Sequence, residues 1–221
     1  MLTWQVAEKF ISINGEGAHA GFPAAFIRLK GCNLSCRYCD TAWANDPACP
    51  VEEETVEDIL GWLNDRGIRR VTLTGGEPLM AENIMVLIRA LCEAGFRVEI
   101  ETNGSIDIRP FSEIRPRPVF TLDYKCPGSG MEGNMLTSNY DCLETCDSVK
   151  FVVSSREDLD CAKRVCDDCR LAERCHVFLS ASFSDISPRD IVDYMISRGW
   201  QDVRLQLQMH KYIWPPEMRG V

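Results

Sequence analysis

Three cysteines, Cys32, Cys36 and Cys39, stand at C-x3-C-x2-C spacing in the stretch Gly31 to Cys39, directly after a strand-like run. Thiolates are soft ligands suited to iron and zinc. A four-iron, four-sulfur cubane usually takes four cysteines. Three clustered thiols would therefore leave one iron open to another ligand. A structural zinc site is the alternative; it prefers four ligands, often as two separated C-x2-C pairs, and no second pair is matched to this loop.

A second motif follows about one strand–helix unit later, Leu73-Thr74-Gly75-Gly76-Glu77-Pro78. Paired glycines let a backbone approach a ligand closely, and the carbonyl and carboxylate here could receive an ammonium group. Alone, this reads as a plain strand-to-helix turn. Placed after the cysteine loop, it points with it to one cofactor. An open iron can bind the amino and carboxylate groups of S-adenosylmethionine. Electron transfer from the reduced cluster can then cleave the sulfonium bond and begin hydrogen-atom abstraction.

The elements that must position these motifs alternate. Strands are predicted at Ala25 to Lys30, Arg70 to Thr74, Phe96 to Glu101, Val119 to Asp123, Val149 to Val153, His176 to Ser180 and Val203 to Gln208. Helices are predicted at Thr55 to Arg66 with Thr55 as N-cap, and at Glu82 to Ala94 with Gly95 as the stop. Two more run over Arg156 to Glu173 and from Ser187-Pro188, with proline at the first helical position. Such alternation predicts an α/β fold with a mostly parallel sheet and an active site at the carboxyl ends of its strands. Residues 1–221 read as a single domain. Tyr124 to Tyr140, rich in Gly, Ser, Pro and Asn, reads as a long loop of the kind that is often functional or mobile.

The chain has 221 residues, 45% hydrophobic and 26% charged, which suits a globular protein with a real core. Its formal net charge of −9 and lack of Lys/Arg clusters disfavour nucleic-acid binding. No run is long enough for a signal peptide or a membrane span, so a cytoplasmic protein without membrane partners is the default expectation. The 12 cysteines accordingly read as ligands or free thiols rather than disulfides.

With these motifs in hand, the chain resembles the radical S-adenosylmethionine superfamily and, within it, the 7-carboxy-7-deazaguanine synthase family. The resemblance is carried by Lys9 to Gly17, Phe26 to Leu34, Tyr38-Cys39-Asp40-Thr41, Thr74 to Pro78, Glu101 to Ser105, Asp123-Tyr124-Lys125, Leu207 to Lys211 and Arg219-Gly220-Val221. It implies a partial, modified (β/α) barrel and usually a homodimer. It implies ring contraction of 6-carboxy-5,6,7,8-tetrahydropterin to 7-carboxy-7-deazaguanine with loss of ammonia, on the route to queuosine-type nucleosides. S-adenosylmethionine, Mg²⁺ and a reducing electron-transfer protein accompany that chemistry.

Carried over by position, the resemblance makes Cys32, Cys36 and Cys39 the cluster ligands and Thr41 the Mg²⁺ ligand. Thr41 has an N-cap or loop role as its bland alternative. Tyr38, Asp40, Gly75, Gly76, Glu77, Asn103 and Lys125 would contact S-adenosylmethionine. Ile13, Asn14, Gly15, Glu16, Arg28 and Thr74 would line the pterin. Arg28 suits the substrate carboxylate because its planar fork makes bidentate bonds, and Phe26, Arg28 and Lys30 could share an interior face. Gln206, Gln208 and His210 alternate on the last strand and could point inward, but an isolated histidine is more often structural, so His210 receives no role. No group for the proton handling of ammonia loss is identified.

Two segments depart from the family pattern. Cys161, Cys166, Cys169 and Cys175 form a C-x4-C-x2-C-x5-C run that could hold zinc or a second cluster, or be free thiols on a helix. Ser180-Ala181-Ser182-Phe183 lacks the proline expected after such a serine. The rival activity is a radical activase acting on a protein partner. Such activases often carry a cysteine-rich insert after the cluster loop, and only Ala42 to Glu54 separates this loop from the next helix.

Overall fold

The computed structural model describes residues 1–221. Nine strands form one sheet in the order β3-β1-β2-β4-β5-β6-β7-β8-β9. They are β1 (Trp4–Ile13), β2 (Pro23–Leu29), β3 (Glu52–Glu54), β4 (Arg70–Gly75), β5 (Arg97–Thr102), β6 (Val119–Lys125), β7 (Ser148–Val153), β8 (His176–Ala181) and β9 (Arg204–Gln206). From β2 onward all neighbours are parallel; β1 pairs antiparallel with β2 and with β3. The edges β3 and β9 do not pair, so the barrel stays open.

Six helices accompany the strands: α1 (Val56–Arg66), α2 (Ile84–Glu93), α3 (Arg109–Ser112), α4 (Arg156–Cys169), α5 (Pro188–Ser197) and α6 (His210–Ile213). Thr55 and Asp58 form a reciprocal capping box at α1, and Ser187 and Asp190 do the same at α5. Each satisfies two otherwise orphaned N–H groups, a contribution of about 1 kcal/mol per cap. No helix is long and apolar enough to cross a membrane.

The strands sort their side chains by period two. Val71, Leu73, Val98, Ile100, Phe120, Leu122, Val149, Phe151, Val177 and Leu179 are all buried in one hydrophobic core. Ile59, Leu63, Leu87, Leu91, Leu159, Val165 and Ile191 from the helices join that core. The alternate positions are polar: Thr72 and Thr74, Glu99 and Glu101, Thr121 and Asp123, Ser148 and Lys150. They occupy the opposite face, the inside of the open barrel. A one-residue register slip would exchange the two sets, so the apolar half fixes where the polar half stands.

Several predicted bounds change. The helix from Arg156 ends at Cys169, where Arg170 turns left-handed (φ 49°) and a short 3-10 turn, Leu171–Glu173, follows. The last strand stops at Gln206, so Gln208 and His210 do not alternate on it; His210 begins α6 instead. The loop after β6 is organised by 3-10 turns at Pro127–Ser129, Glu132–Asn134 and Thr137–Cys142. Antiparallel pairing of β1 and β3 was not part of the sequence-based alternation. β1 contributes because its carboxyl end leads straight into Asn14-Gly15-Glu16 at the cavity.

Candidate active site

A cavity of about 690 Å³ opens at the carboxyl ends of the parallel strands. Cys32, Cys36, Tyr38, Cys39, Asp40 and Thr41 border it on one side. Ile13, Asn14, Gly15, Glu16 and Arg28 border it on another, with Thr74, Gly75, Gly76, Asn103 and Lys125 between them. The structure thus gathers every sequence-derived site residue at one cavity except Glu77.

The cysteine loop leaves β2 and is half-buried. The Leu34 N–H donates to Cys32 Sγ at 3.4 Å and the Asn103 amide donates to the same sulfur at 3.6 Å. Burial pushes the Cys32 and Cys36 thiols up, and Lys125 opposes that shift at Cys36. Nowhere do three His, Cys, Asp or Glu side chains stand close enough together to hold a single metal ion.

Glycines bring β4 against the loop. Gly75 has φ 149°, and a Cβ there would strike the Leu29 backbone; one at Gly76 would strike the Gly31 carbonyl and Asn45. Only a residue without a side chain lets the turn pass beneath the cysteines. Glu77 lies outside the cavity and is 1% exposed. Its carboxylate accepts from Thr102 Oγ1 at 2.8 Å, the Leu79 N–H at 3.0 Å and the Asn103 N–H at 2.7 Å. Those bonds tie β4 to β5.

Other assigned residues are braced in distinct ways. Tyr38 donates its hydroxyl to the Val152 carbonyl at 2.9 Å. Thr41 precedes a 3-10 turn (Ala42–Asn45) without capping it, and its hydroxyl stands 3.7 Å from Cys39 Sγ. Asn14 is buried, donating to Glu99 Oε2 at 3.2 Å and accepting from Thr72 Oγ1 at 3.0 Å. Glu16 pairs with Lys150 at 3.1 Å, and Arg28 with Glu8 at 3.2 Å. Phe26 stacks on Phe10 with ring centroids 4.9 Å apart. Lys30 does not join them; its ammonium donates to the Pro47 and Cys49 carbonyls.

Sequence reasoning missed the charged layer deep in the barrel. Lys125 pairs with Asp123 at 3.0 Å, and Lys150 reaches both Glu16 and Asp123. Despite burial, the two ammonium groups hold Asp123 below the usual carboxylate range. Lys150, although buried, is held well above its ordinary value by Glu16 and Asp123. Charged residues at every second position of otherwise apolar strands were the available signal. His210 also lines the cavity, its ring so close to Gly15 that a Cβ there would collide. Ser182 reaches the wall as well; its N–H donates to the Val153 carbonyl at 2.7 Å and its hydroxyl to Asp185.

The comparisons with known proteins agree with this geometry. The Radical SAM superfamily model matches residues 26–123. A 7-carboxy-7-deazaguanine synthase of Clostridium acetobutylicum is 45% identical over 221 residues, covering 100% of both chains. One from Chlorobaculum tepidum is 35% identical, over 98% of this chain and 96% of its own. The crystal structure of QueE from Escherichia coli superposes with a TM-score of 0.76 at 25% identity, covering 94% of this chain and 95% of that one. The open barrel, the cysteine loop at its mouth and these full-length relatives place the chain in the radical SAM superfamily, as a member of its 7-carboxy-7-deazaguanine synthase family.

Proposed function

We propose that the protein converts 6-carboxy-5,6,7,8-tetrahydropterin into 7-carboxy-7-deazaguanine and ammonia, a carbon–nitrogen lyase reaction feeding 7-deazapurine nucleosides. The observation that carries this reading is one cavity bordered both by the three-thiol loop and by Asn14, Glu16 and Arg28, in a chain whose relatives are synthases along their whole length. A protein-directed activase is not favoured, because those relatives leave no part of the chain over for a second activity.

The donor set fits a cluster: three free thiols on one loop, with N–H groups aimed at one sulfur. Cys32, Cys36 and Cys39 would hold it. When bound, a cluster with an open iron supplies reductive cleavage of S-adenosylmethionine, and with it the radical that starts the ring contraction. Tyr38, Asp40, Gly75, Gly76, Asn103 and Lys125 would surround that cofactor. Thr41 offers a hydroxyl oxygen to Mg²⁺, a cation that takes few protein ligands beside substrate oxygens and water.

The remaining residues hold the pterin. Arg28 would clamp its carboxylate, with Glu8 fixing the guanidinium plane. Glu16 can accept two hydrogen bonds from the guanidine-like edge, and its pair with Lys150 holds it in place. Asn14, at the cavity wall, is held in one orientation by Glu99 and Thr72. Ile13 and Thr74 complete the wall. We place residues 1–221 in one domain and expect a homodimer working in the cytoplasm with a reducing electron-transfer protein.

The test is an anaerobic assay of cluster-reconstituted protein with the carboxytetrahydropterin, S-adenosylmethionine, Mg²⁺ and a reductant. Formation of 7-carboxy-7-deazaguanine and ammonia is expected. Protein that carries an intact cluster yet leaves the pterin unchanged would overturn the reading.

A further inference from the structure

Ammonia loss needs a proton for the departing nitrogen, and the cavity wall holds several candidate acids. Most are committed. Glu8 is paired with Arg28, and Glu16 with Lys150 while it also accepts from Ser180 at 3.2 Å. Asp123 is paired with both Lys125 and Lys150. Lys150 keeps its proton too firmly to give it up, and burial keeps His210 in its neutral form.

Glu101 differs. It lines the cavity from the inner face of β5 and is the carboxyl of the strand wall without an ion-pair partner. The β4–β5 register sets Thr72 opposite Glu99, so Thr74 and Glu101 share the next layer, and the Thr74 hydroxyl acts on the carboxyl to favour its charged form. The charged groups that act on it are Lys150 from β7, Glu16 from the segment after β1 and Glu99 from its own strand, with Thr121 of β6 opposite it in register. Burial pushes the carboxyl up; Lys150 opposes this, and Glu99 and Glu16 reinforce it. A carboxyl raised above its ordinary range by burial, lining the cavity beside Thr74 and without an ion-pair partner, is placed to donate a proton.

We propose that Glu101 is the acid–base residue of the ammonia-releasing step, giving a proton to the departing nitrogen and taking one back from the ring. This rests on the carboxypterin reading above. The carbon–nitrogen bond breaks with both electrons going to nitrogen, and the Glu101 proton completes ammonia. The lone pair of the ring nitrogen, one atom further on, pushes through the ring C=C bond, so that a C=N bond forms at that nitrogen and a C=C bond forms at the vacated carbon. Loss of a ring C–H proton to the Glu101 carboxylate then makes the ring aromatic and restores the acid. No oxidant or reductant enters, and Lys150 steadies the transient carboxylate.

The test compares reconstituted wild type, Glu101→Gln and Glu101→Asp. Glutamine keeps the shape and the Thr74 contact but cannot donate an acidic proton. Ammonia release should fall about 100- to 10,000-fold, with KM within about threefold and a ring-contracted species heavier than product by one ammonia accumulating in quenched reactions. Aspartate should recover at least about tenfold over glutamine, with the alkaline limb of the pH–rate profile displaced. A second reading needs no turnover: the protonated-carboxyl infrared band of the cluster-free protein at neutral pH should weaken in Glu101→Gln. Ammonia release at the wild-type rate in the glutamine chain, or binding lost together with turnover and no accumulating species, would overturn the assignment. An unchanged infrared band would do so too. If the glutamine chain does not fold, an undisplaced limb in Glu101→Asp decides against it. Inactive wild type would remove the carboxypterin reading itself, and this proposal with it.

Discussion

Two cysteine-rich segments of this chain have similar spacing and opposite fates. Cys32, Cys36 and Cys39 leave a strand end in irregular backbone, stay half-buried and border the cavity. Cys161, Cys166 and Cys169 ride on α4, with Cys175 beyond its end. Cys161, Cys166 and Cys175 belong to the hydrophobic core. The Cys161 thiol donates to Glu132 at 3.1 Å and the Cys175 thiol to the Leu171 carbonyl at 3.6 Å. A helix separates positions eight apart by about 12 Å along its axis, so Cys161 and Cys169 cannot share one ion. Spacing alone therefore does not make a metal site. A loop can fold thiols toward a common centre, and a helix distributes them along a rod.

The largest expected effect breaks the first segment. Cys36→Ala should lose the cluster and all product formation, measured as iron per chain and deazaguanine yield; full iron content would contradict the comparison. Next, Arg28→Ala should leave iron unchanged while KM rises about 10- to 100-fold, the loss expected for a charge-assisted bond to a carboxylate. Unaltered KM would refute its role. Cys166→Ala addresses the second segment and should cost about 1–2 kcal/mol of stability as a small core truncation. Urea unfolding reads that loss, and a parallel drop in bound iron or zinc would show that the helix holds metal after all.

A further effect is confined to alkaline pH. Burial pushes the Cys175 thiol up to about 12, whereas an unfolded cysteine ionises near 8.5. The folded thiol stays neutral while the unfolded one ionises. Its contribution is therefore complete below about pH 8.5 and is lost as pH rises toward about 12, with a limiting slope near 1.4 kcal/mol per pH unit. Cys175→Ala should flatten the alkaline limb of the urea midpoint against pH. An equally steep limb would place the titrating group elsewhere.

Particular elements show how legible the sequence was. Helices α1 and α5 were readable because Thr55 and Ser187 are strong caps set before amphipathic runs. The strands β4 to β8 were readable from their apolar alternation. The end of α4 was not, because Arg170 adopts a left-handed turn without being glycine. Gln208 and His210 looked like strand residues, yet pairing stops at Gln206. Glu77 looked like a ligand contact because a carboxylate in a glycine turn can be one. Only the approach of Thr102 and Asn103 from β5 reveals the bonds that its carboxylate makes within the fold.

The amino-acid order by itself determined the chemistry at the cavity mouth and the alternation of the strands. Those depend on contiguous residues, three thiols in one loop or side chains two apart, and need no distant partner. Tertiary structure alone decided which charges meet inside the barrel. Glu16, Glu101, Asp123 and Lys150 come from four separate segments, and their pairing follows from strand order and register. No local pattern encodes that, because the free energy of a buried charge is set by its neighbours in space rather than in sequence.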